Sequence, residues 1–331
     1  MALSEFELIS RYFNQFGLAA DPLTHEGVVL GIGDDCALVS LEHEQQLCIS
    51  MDVLVEGVHF PHKADPKMVA ERALAVNLSD LAAMGATPLG FTLGLTLPKL
   101  NEEWLSGFSI GLRDAAQRYR CPLLGGDTTR GPLQIAIGIH GTVPKGLALQ
   151  RRGARPGDDV FVSGVLGRAG LALSLLDKTL VAETAAQSAE LLTAYWLPQP
   201  RLSLGIALRG TASAAQDVSD GLLADLGHIA KASGVGIELQ SGLIPVATVV
   251  AELCEQAKAL QLALTAGDDY ELVFTAPVRN RAGVQAAALS AGINVTRIGT
   301  VVYGNEVNVA AQDGAPLLYN RVGYDHFGED A

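Results

Sequence analysis

Leu89-Gly90-Phe91-Thr92-Leu93-Gly94-Leu95-Thr96-Leu97 alternates without a fault: each odd position is large and apolar, each even one Gly or Thr. A period of two puts all the large side chains on one face, which predicts a strand with one buried side. Residues 133–143 repeat the pattern, with Leu, Ile, Ile, Ile, Gly and Val at the odd positions. Shorter strands are predicted at 47–50, 160–163, 237–240 and 271–275. Between them the period changes. Asp65-Pro66 supplies an N-cap and a first-turn proline, and Gly85 a stop, so 66–84 reads as a helix. Asn101 caps another, whose apolar stripe is Trp104, Leu105, Phe108, Leu112 and Tyr119. Further helices are predicted at 169–176, 222–232 and 246–260. Strands and helices mix without a steady βαβ rhythm, which predicts an α+β chain.

The 331 residues suffice for two domains that fold without disulfide or metal staples. The boundary is expected where the strand ending at Val143 gives way to Arg151-Arg152-Gly153-Ala154-Arg155-Pro156-Gly157, dividing the chain into 1–146 and 147–331. The net charge of −13 argues against a nucleic-acid or anionic-membrane partner. Cys36, Cys48, Cys121 and Cys254 form no CxxC pair and read as buried free thiols, Cys36 as part of the core. The acidic opening Ser4-Glu5-Phe6-Glu7 has no basic, apolar leader, and apolar runs are soon broken, as by Glu252 and Glu255. A cytoplasmic protein is expected.

Six aspartate sites stand in small, glycine- or serine-rich settings. They are Gly33-Asp34-Asp35, Ser50-Met51-Asp52, Asn77-Leu78-Ser79-Asp80, Gly125-Gly126-Asp127, Asp217-Val218-Ser219-Asp220 and Gly267-Asp268-Asp269. Any one alone reads as a turn or cap, and Asp158-Asp159 after Pro156-Gly157 reads as a turn only. Asp80 falls in the last turn of its helix, where the dipole disfavours an anion by about 0.3–1 kcal/mol and a bound cation would offset that cost. Hard oxygen ligands of this kind suit magnesium, and magnesium lets an acidic protein hold a polyphosphate. The set therefore points to phosphoryl transfer. No GxxxxGK[ST] loop, strand-borne GxGxxG, GxSxG elbow or HExxH is present; Gly107-Phe108-Ser109-Ile110-Gly111 falls within the helix capped by Asn101, not at a strand-to-helix turn. The glycines at 164, 167 and 170 read as tight strand-to-helix packing. Short echoes link Asn77–Leu81 with Asp217–Gly221 and Gly33–Asp35 with Gly267–Asp269.

These motifs, in this order, resemble the bacterial thiamine-monophosphate kinases of the aminoimidazole-ribonucleotide-synthetase superfamily. The resemblance starts at Glu5-Phe6-Glu7-Leu8-Ile9 and passes through Gly31–Leu38, Ala75–Ala86, Gly125–Gly131 and Asp217–Gly227. It closes at Gly323-Tyr324-Asp325-His326-Phe327. It implies a two-domain fold: an N-terminal mixed sheet that forms a barrel with a second subunit, and a C-terminal α/β sandwich completing the active site. It implies ATP as co-substrate, thiamine monophosphate as acceptor, and several magnesium ions held by Asp35, Ser50, Asp52, Asp80, Asp127, Asp217 and Asp220. Gly126, Asp127, Arg151 and Ser219 would contact ATP; His59, Asp268 and Tyr324 would meet the thiamine phosphate. Met51 stands where the family commonly has Thr, leaving its backbone carbonyl as the ligand. Asp268 stands where the family commonly has Glu, one methylene longer.

The acceptor phosphate is already largely dianionic at neutral pH, with a second pKa near about 6, so no protein base is expected. Two rivals are a synthetase activating another acceptor, such as a purine precursor or selenide, and a non-catalytic nucleotide-binding protein. The full set of aspartates speaks against the second.

Overall fold

The structure, a computed structural model, describes residues 5–15, 17–32, 36–319 and 323. It divides into two compact units, Met1–Leu81 with Ala86–Gly146, and Ala82–Gly85 with Leu147–Ala331.

In the first unit α1 (Glu5–Leu8) runs into a π-turn, and β1 (Val28–Leu30) pairs with β2 (Leu38–Val39). There follow β3 (Gln45–Val55), α2 (Pro66–Ala83), β4 (Thr87–Leu97), α3 (Glu102–Tyr119), β5 (Leu123–Arg130) and β6 (Gln134–Pro144). The sheet order is β3-β6-β4-β5, antiparallel except for β4–β5. The register sets Phe91 opposite Ile139 and Leu93 opposite Ile137 on one buried face, as the alternation predicts. Ser50 and Asp52, opposite Ile139 and Ile137, share that face. The other face carries Leu47, Ile49, Met51 and Val53, with Ile49 67% and Met51 65% exposed.

Both long helices start as their sequences predict. Asp65 Oδ1 accepts from Lys67 N at 2.9 Å, and Asn101 Oδ1 from Trp104 N at 3.1 Å. α2 is buried almost all round from Val69 to Ser79, the mark of a central helix. α3 approaches it closely because Gly111 has no side chain: a Cβ there would lie 2.3 Å from Lys67 O.

The second unit holds β7 (Asp159–Ser163), α4 (Arg168–Leu176), α5 (Ala185–Trp196), α6 (Leu202–Ala207), β8 (Ala214–Asp217), α7 (Leu222–Ser233) and β9 (Gly236–Gln240). It continues with α8 (Thr248–Leu253), α9 (Gln256–Thr265), β10 (Leu272–Ala276), α10 (Arg281–Ala291), β11 (Val295–Val302), β12 (Val307–Ala310) and β13 (Pro316–Leu317). The seven-stranded sheet runs β13-β12-β9-β11-β7-β10-β8, with only β12–β9 parallel. Alternate residues of β7 feed opposite cores. Val160 and Val162 pack with Leu222, Leu226 and Ile229 of α7, whereas Phe161 packs with Leu204 of α6 and Val284 of α10. Helices thus cover both faces, and the central strands β7 and β10 are buried at every residue.

Three expectations are corrected. The helix predicted over 246–260 is two, broken at Cys254 and Glu255, both in extended backbone. At 3.6 residues per turn, one straight helix would set Ala259 about 180° around from Val250, and both are buried, so the break re-aims the second half. Asp159 is no turn residue: it opens β7, is 1% exposed, and binds Arg281 at 2.6 and 2.8 Å and also Arg297. Of the free thiols only Cys121 is buried, and Cys36 is exposed rather than core. The glycine spacing after β7 is packing, as expected: a Cβ on Gly170 would lie 2.3 Å from Ala266 Cβ.

Candidate functional site

The first unit brings Ser50, Asp52 and Asp80 together on the inner face of its sheet. Ser50 Oγ donates to Asp80 Oδ2 at 2.6 Å, tying β3 to the last turn of α2. One turn earlier, Asn77 Oδ1 accepts from Asp52 N at 3.0 Å, while its Nδ2 donates to Ala73 O at 2.9 Å. Asn77 was not expected as a site residue, although it lies in a quoted motif; its amide fixes the edge strand against the helix. The last turn of α2 contains no basic residue. Asp80 is therefore a half-buried carboxylate at the negative end of a helix, joined to a hydroxyl. This set of hard oxygen donors fits magnesium.

Met51 and Asp127 lie elsewhere in the unit. The Met51 side chain points to the open face, away from Asp52 and Asp80. Asp127 pairs with Gly94 on β4, while Asp52 belongs to the row of Ile137, Leu93 and Gly126, so the register puts Asp127 on the open face too. There it lines a cavity of about 900 Å³ with Thr92, Gly125, Gly126, Ile49 and His140. Burial lowers the His140 pKa. Gly126 is dictated by space: with φ 157°, a Cβ would sit 2.0 Å from Leu93 O. His59 is half-buried in the turn after β3, where Nδ1 accepts from Val55 N at 3.0 Å; its neutral ring then carries the proton on Nε2. Asp35 lies outside the described residues, as does Tyr324.

In the second unit the other aspartates gather where β8 ends. Asp217 is buried on the last β8 position, paired with Leu272. The chain then turns through Val218–Gly221 alongside Gly267–Glu271. Ser219 O accepts from Asp268 N, and Val218 O from Tyr270 N, both at 2.8 Å. Gly267 permits this approach, since a Cβ there would lie 2.2 Å from Ser219 O. Asp268 and Tyr270 both take left-handed backbone, φ 70° and 49°, and the Tyr270 hydroxyl donates to Asp268 Oδ1 at 3.1 Å. Such conformations cost roughly 1–3 kcal/mol each and gather at ligand sites.

Between them Asp269 Oδ2 accepts from Gly167 N at 2.7 Å, anchoring the start of α4, and burial pushes its pKa up to about 7. Glu271 is buried against Arg201 at 2.6 and 2.5 Å. Asp220, Asp225 and His228 bring potential ligand atoms within 4.8 Å of one another. Asp225 and His228 were missed; an acid in the first turn of a helix signals no more than a favourable dipole. Arg151 is exposed; its carbonyl accepts from Ser233 Oγ at 3.1 Å. Its charge, after burial, helps to lower the His228 pKa.

Residues 33–143 match the AIR synthase related protein N-terminal domain, and residues 155–312 the C-terminal domain of the same family. The chain is 45% identical to a thiamine-monophosphate kinase of Escherichia coli over 99% of both chains. The solved thiamine-monophosphate kinase of Stenotrophomonas maltophilia superposes with a TM-score of 0.85 at 42% identity, covering 96% of this chain and 99% of that one. AaThiL complexed with AMPPCP and TMP superposes with a TM-score of 0.76 at 32% identity over 99% of both chains.

Proposed function

The chain belongs to the thiamine-monophosphate kinases of the AIR synthase related family, and on that premise we propose that it transfers the γ-phosphoryl group of ATP directly, in line, to a phosphate oxygen of thiamine monophosphate. The observation that carries this reading is full-length identity at 45%, joined by a structural relative complexed with AMPPCP and TMP. The acceptor is a phosphate already largely ionised, so the protein's task is to position two anions and offset their repulsion rather than to remove a proton.

Magnesium ions, when bound, supply that charge compensation. Ser50, Asp52 and Asp80 would hold them in the first unit, with Asp35, the Met51 carbonyl and Asp127, and Asp217 and Asp220 in the second. Gly126, Asp127, Arg151 and Ser219 would bind ATP. His59, Asp268 and Tyr324 would bind the thiamine phosphate. Tyr270, whose hydroxyl reaches the Asp268 carboxylate, orients that shorter acid.

The working form is a cytoplasmic homodimer in which a second copy covers the open face of the first sheet, where Ile49 and Met51 stand mostly exposed. No helix among the described residues is long and apolar enough to cross a membrane.

The test is ADP release with magnesium and ATP, comparing thiamine monophosphate, free thiamine and no acceptor. Release that depends on the monophosphate, with thiamine diphosphate as product, is the expected outcome. Equal release without it would return the acceptor question to the wider family.

A further inference from the structure

Asp225 is fully buried, yet it faces the loop that carries Ser219 and Asp220. Its Oδ2 accepts from three successive backbone N–H groups, Ser219 at 3.0 Å, Asp220 at 3.1 Å and Gly221 at 3.1 Å. Its Oδ1 accepts from Gln216 Nε2 at 2.6 Å. Each carboxylate oxygen offers about two lone-pair positions, so the three amides fill Oδ2, while Oδ1 holds the Gln216 donor beside one further position. Its nearness to Asp220 and His228 makes Asp225 a candidate cation ligand through Oδ1 alone, since Oδ2 is fully taken by the loop amides.

The geometry points to another role: Asp225 is a positioning residue that folds the Ser219–Gly221 loop back over the start of α7, setting Ser219 for the nucleotide and Asp220 for the metal while touching neither ligand. The assignment of those two residues rests on the function proposed above; the cradle does not. Two features make the loop depend on it. Gly221 sits at φ 125°, and a Cβ there would lie 2.8 Å from Thr265 O, so the turn is tight and has few ways to relax. Without the carboxylate, three adjacent amides would lose their acceptor, two of them on the residues proposed to bind ligand.

Gln216 supplies the means of separating position from charge. Its Oε1 is buried with no hydrogen-bond partner among the described residues. In Asp225→Asn the remaining oxygen can still accept from the three amides. The new Nδ2 can donate to Gln216 Oε1 once the Gln216 amide turns over, so the cradle survives while the charge goes.

The experiment compares wild type, Asp225→Asn and Asp225→Ala by hydrogen exchange at the amides of Ser219, Asp220 and Gly221 in ligand-free protein, and by the affinity of Mg·ATP. Asp225→Ala is expected to speed exchange at those amides by about tenfold or more, leave the α5 amides unchanged, and weaken Mg·ATP about 10- to 100-fold. Asp225→Asn is expected to stay within about threefold of wild type in both. If Asp225→Ala does not fold, Asp225→Asn decides alone. Loss of more than about tenfold in magnesium dependence with the three amides still protected would make Asp225 a ligand and overturn the proposal. Asp225→Ala matching wild type in both readouts would overturn it as well. A wild-type protein with no monophosphate-dependent ADP release would sink the functional reading separately, and the exchange comparison would still stand.

Discussion

A carboxylate in the last turn of a helix, such as Asp80, opposes the helix dipole. Asp80→Asn, to whose amide oxygen Ser50 can still donate, should change stability in metal-free buffer by no more than about 1 kcal/mol while turnover falls by about tenfold or more. Chemical denaturation beside steady-state kinetics checks both halves; a folded variant with unchanged turnover would remove Asp80 from the site. Asp127→Asn should lower turnover by about 10²-fold or more even at saturating magnesium. Turnover close to wild type would count against the multi-metal reading. These acids were legible because glycine and serine surround them in an otherwise apolar chain. Asp225 was not, because its importance arises only when three backbone amides, four to six residues earlier, fold back onto one oxygen. The opposite facing of Met51 and Asp52 was implicit in the strand period once β3 was known to extend to Val55.

At the scale of elements, the long alternating strands and the two capped helices were readable because burial and local chemistry agree there. α5 was missed, although Thr184-Ala185-Ala186-Gln187 is a capping box: Gln187 N donates to Thr184 Oγ1 at 3.2 Å, and Thr184 N to Gln187 Oε1 at 3.1 Å. Thr184→Ala should cost about 1 kcal/mol, with Thr184→Ser retaining most of it, and denaturant titration reads the difference. Equal loss in both variants would show that the hydroxyl is not what starts this helix. The break between α8 and α9 could not be read locally, because no Gly or Pro marks it. Val250 and Ala259 each find a buried place, and that demand bends the chain.

For the molecule as a whole, stability should peak in mild acid. Asp159 is held below the usual carboxylate range, chiefly by its hydrogen bond to Arg281. Its contribution is full above the unfolded value of about 3.9 and is lost as pH falls through the lower folded value. Asp269 is the reverse case: burial pushes it up to about 7. Its contribution is full below about 3.9 and is lost progressively as pH rises from there to about 7. The thermal midpoint should therefore be highest at about pH 4. Asp269→Asn should shrink the fall between about pH 4 and 7, and a fall of unchanged size would assign it to other groups. In the dimer proposed here, Ile49→Lys should shift light-scattering mass toward the monomer. Unchanged mass would place the partner copy elsewhere. Two α+β units and strands with one buried face were foreseeable from length and period, but not what lies on the outer side of the sheet, since alternation alone does not say. That bare face also matters before the protein is finished. β3 and its neighbours are complete once Pro144 has been made, yet Leu147–Ala331 still takes roughly ten to forty seconds to synthesise at about 5–20 residues per second. Through that interval Leu47, Ile49, Met51 and Val53 are presented to the crowded surroundings of the ribosome, where nascent copies on one messenger are near neighbours. Slowing translation of the second half should thus decide between early pairing and aggregation, and yield of soluble protein should depend on synthesis rate more than on final stability.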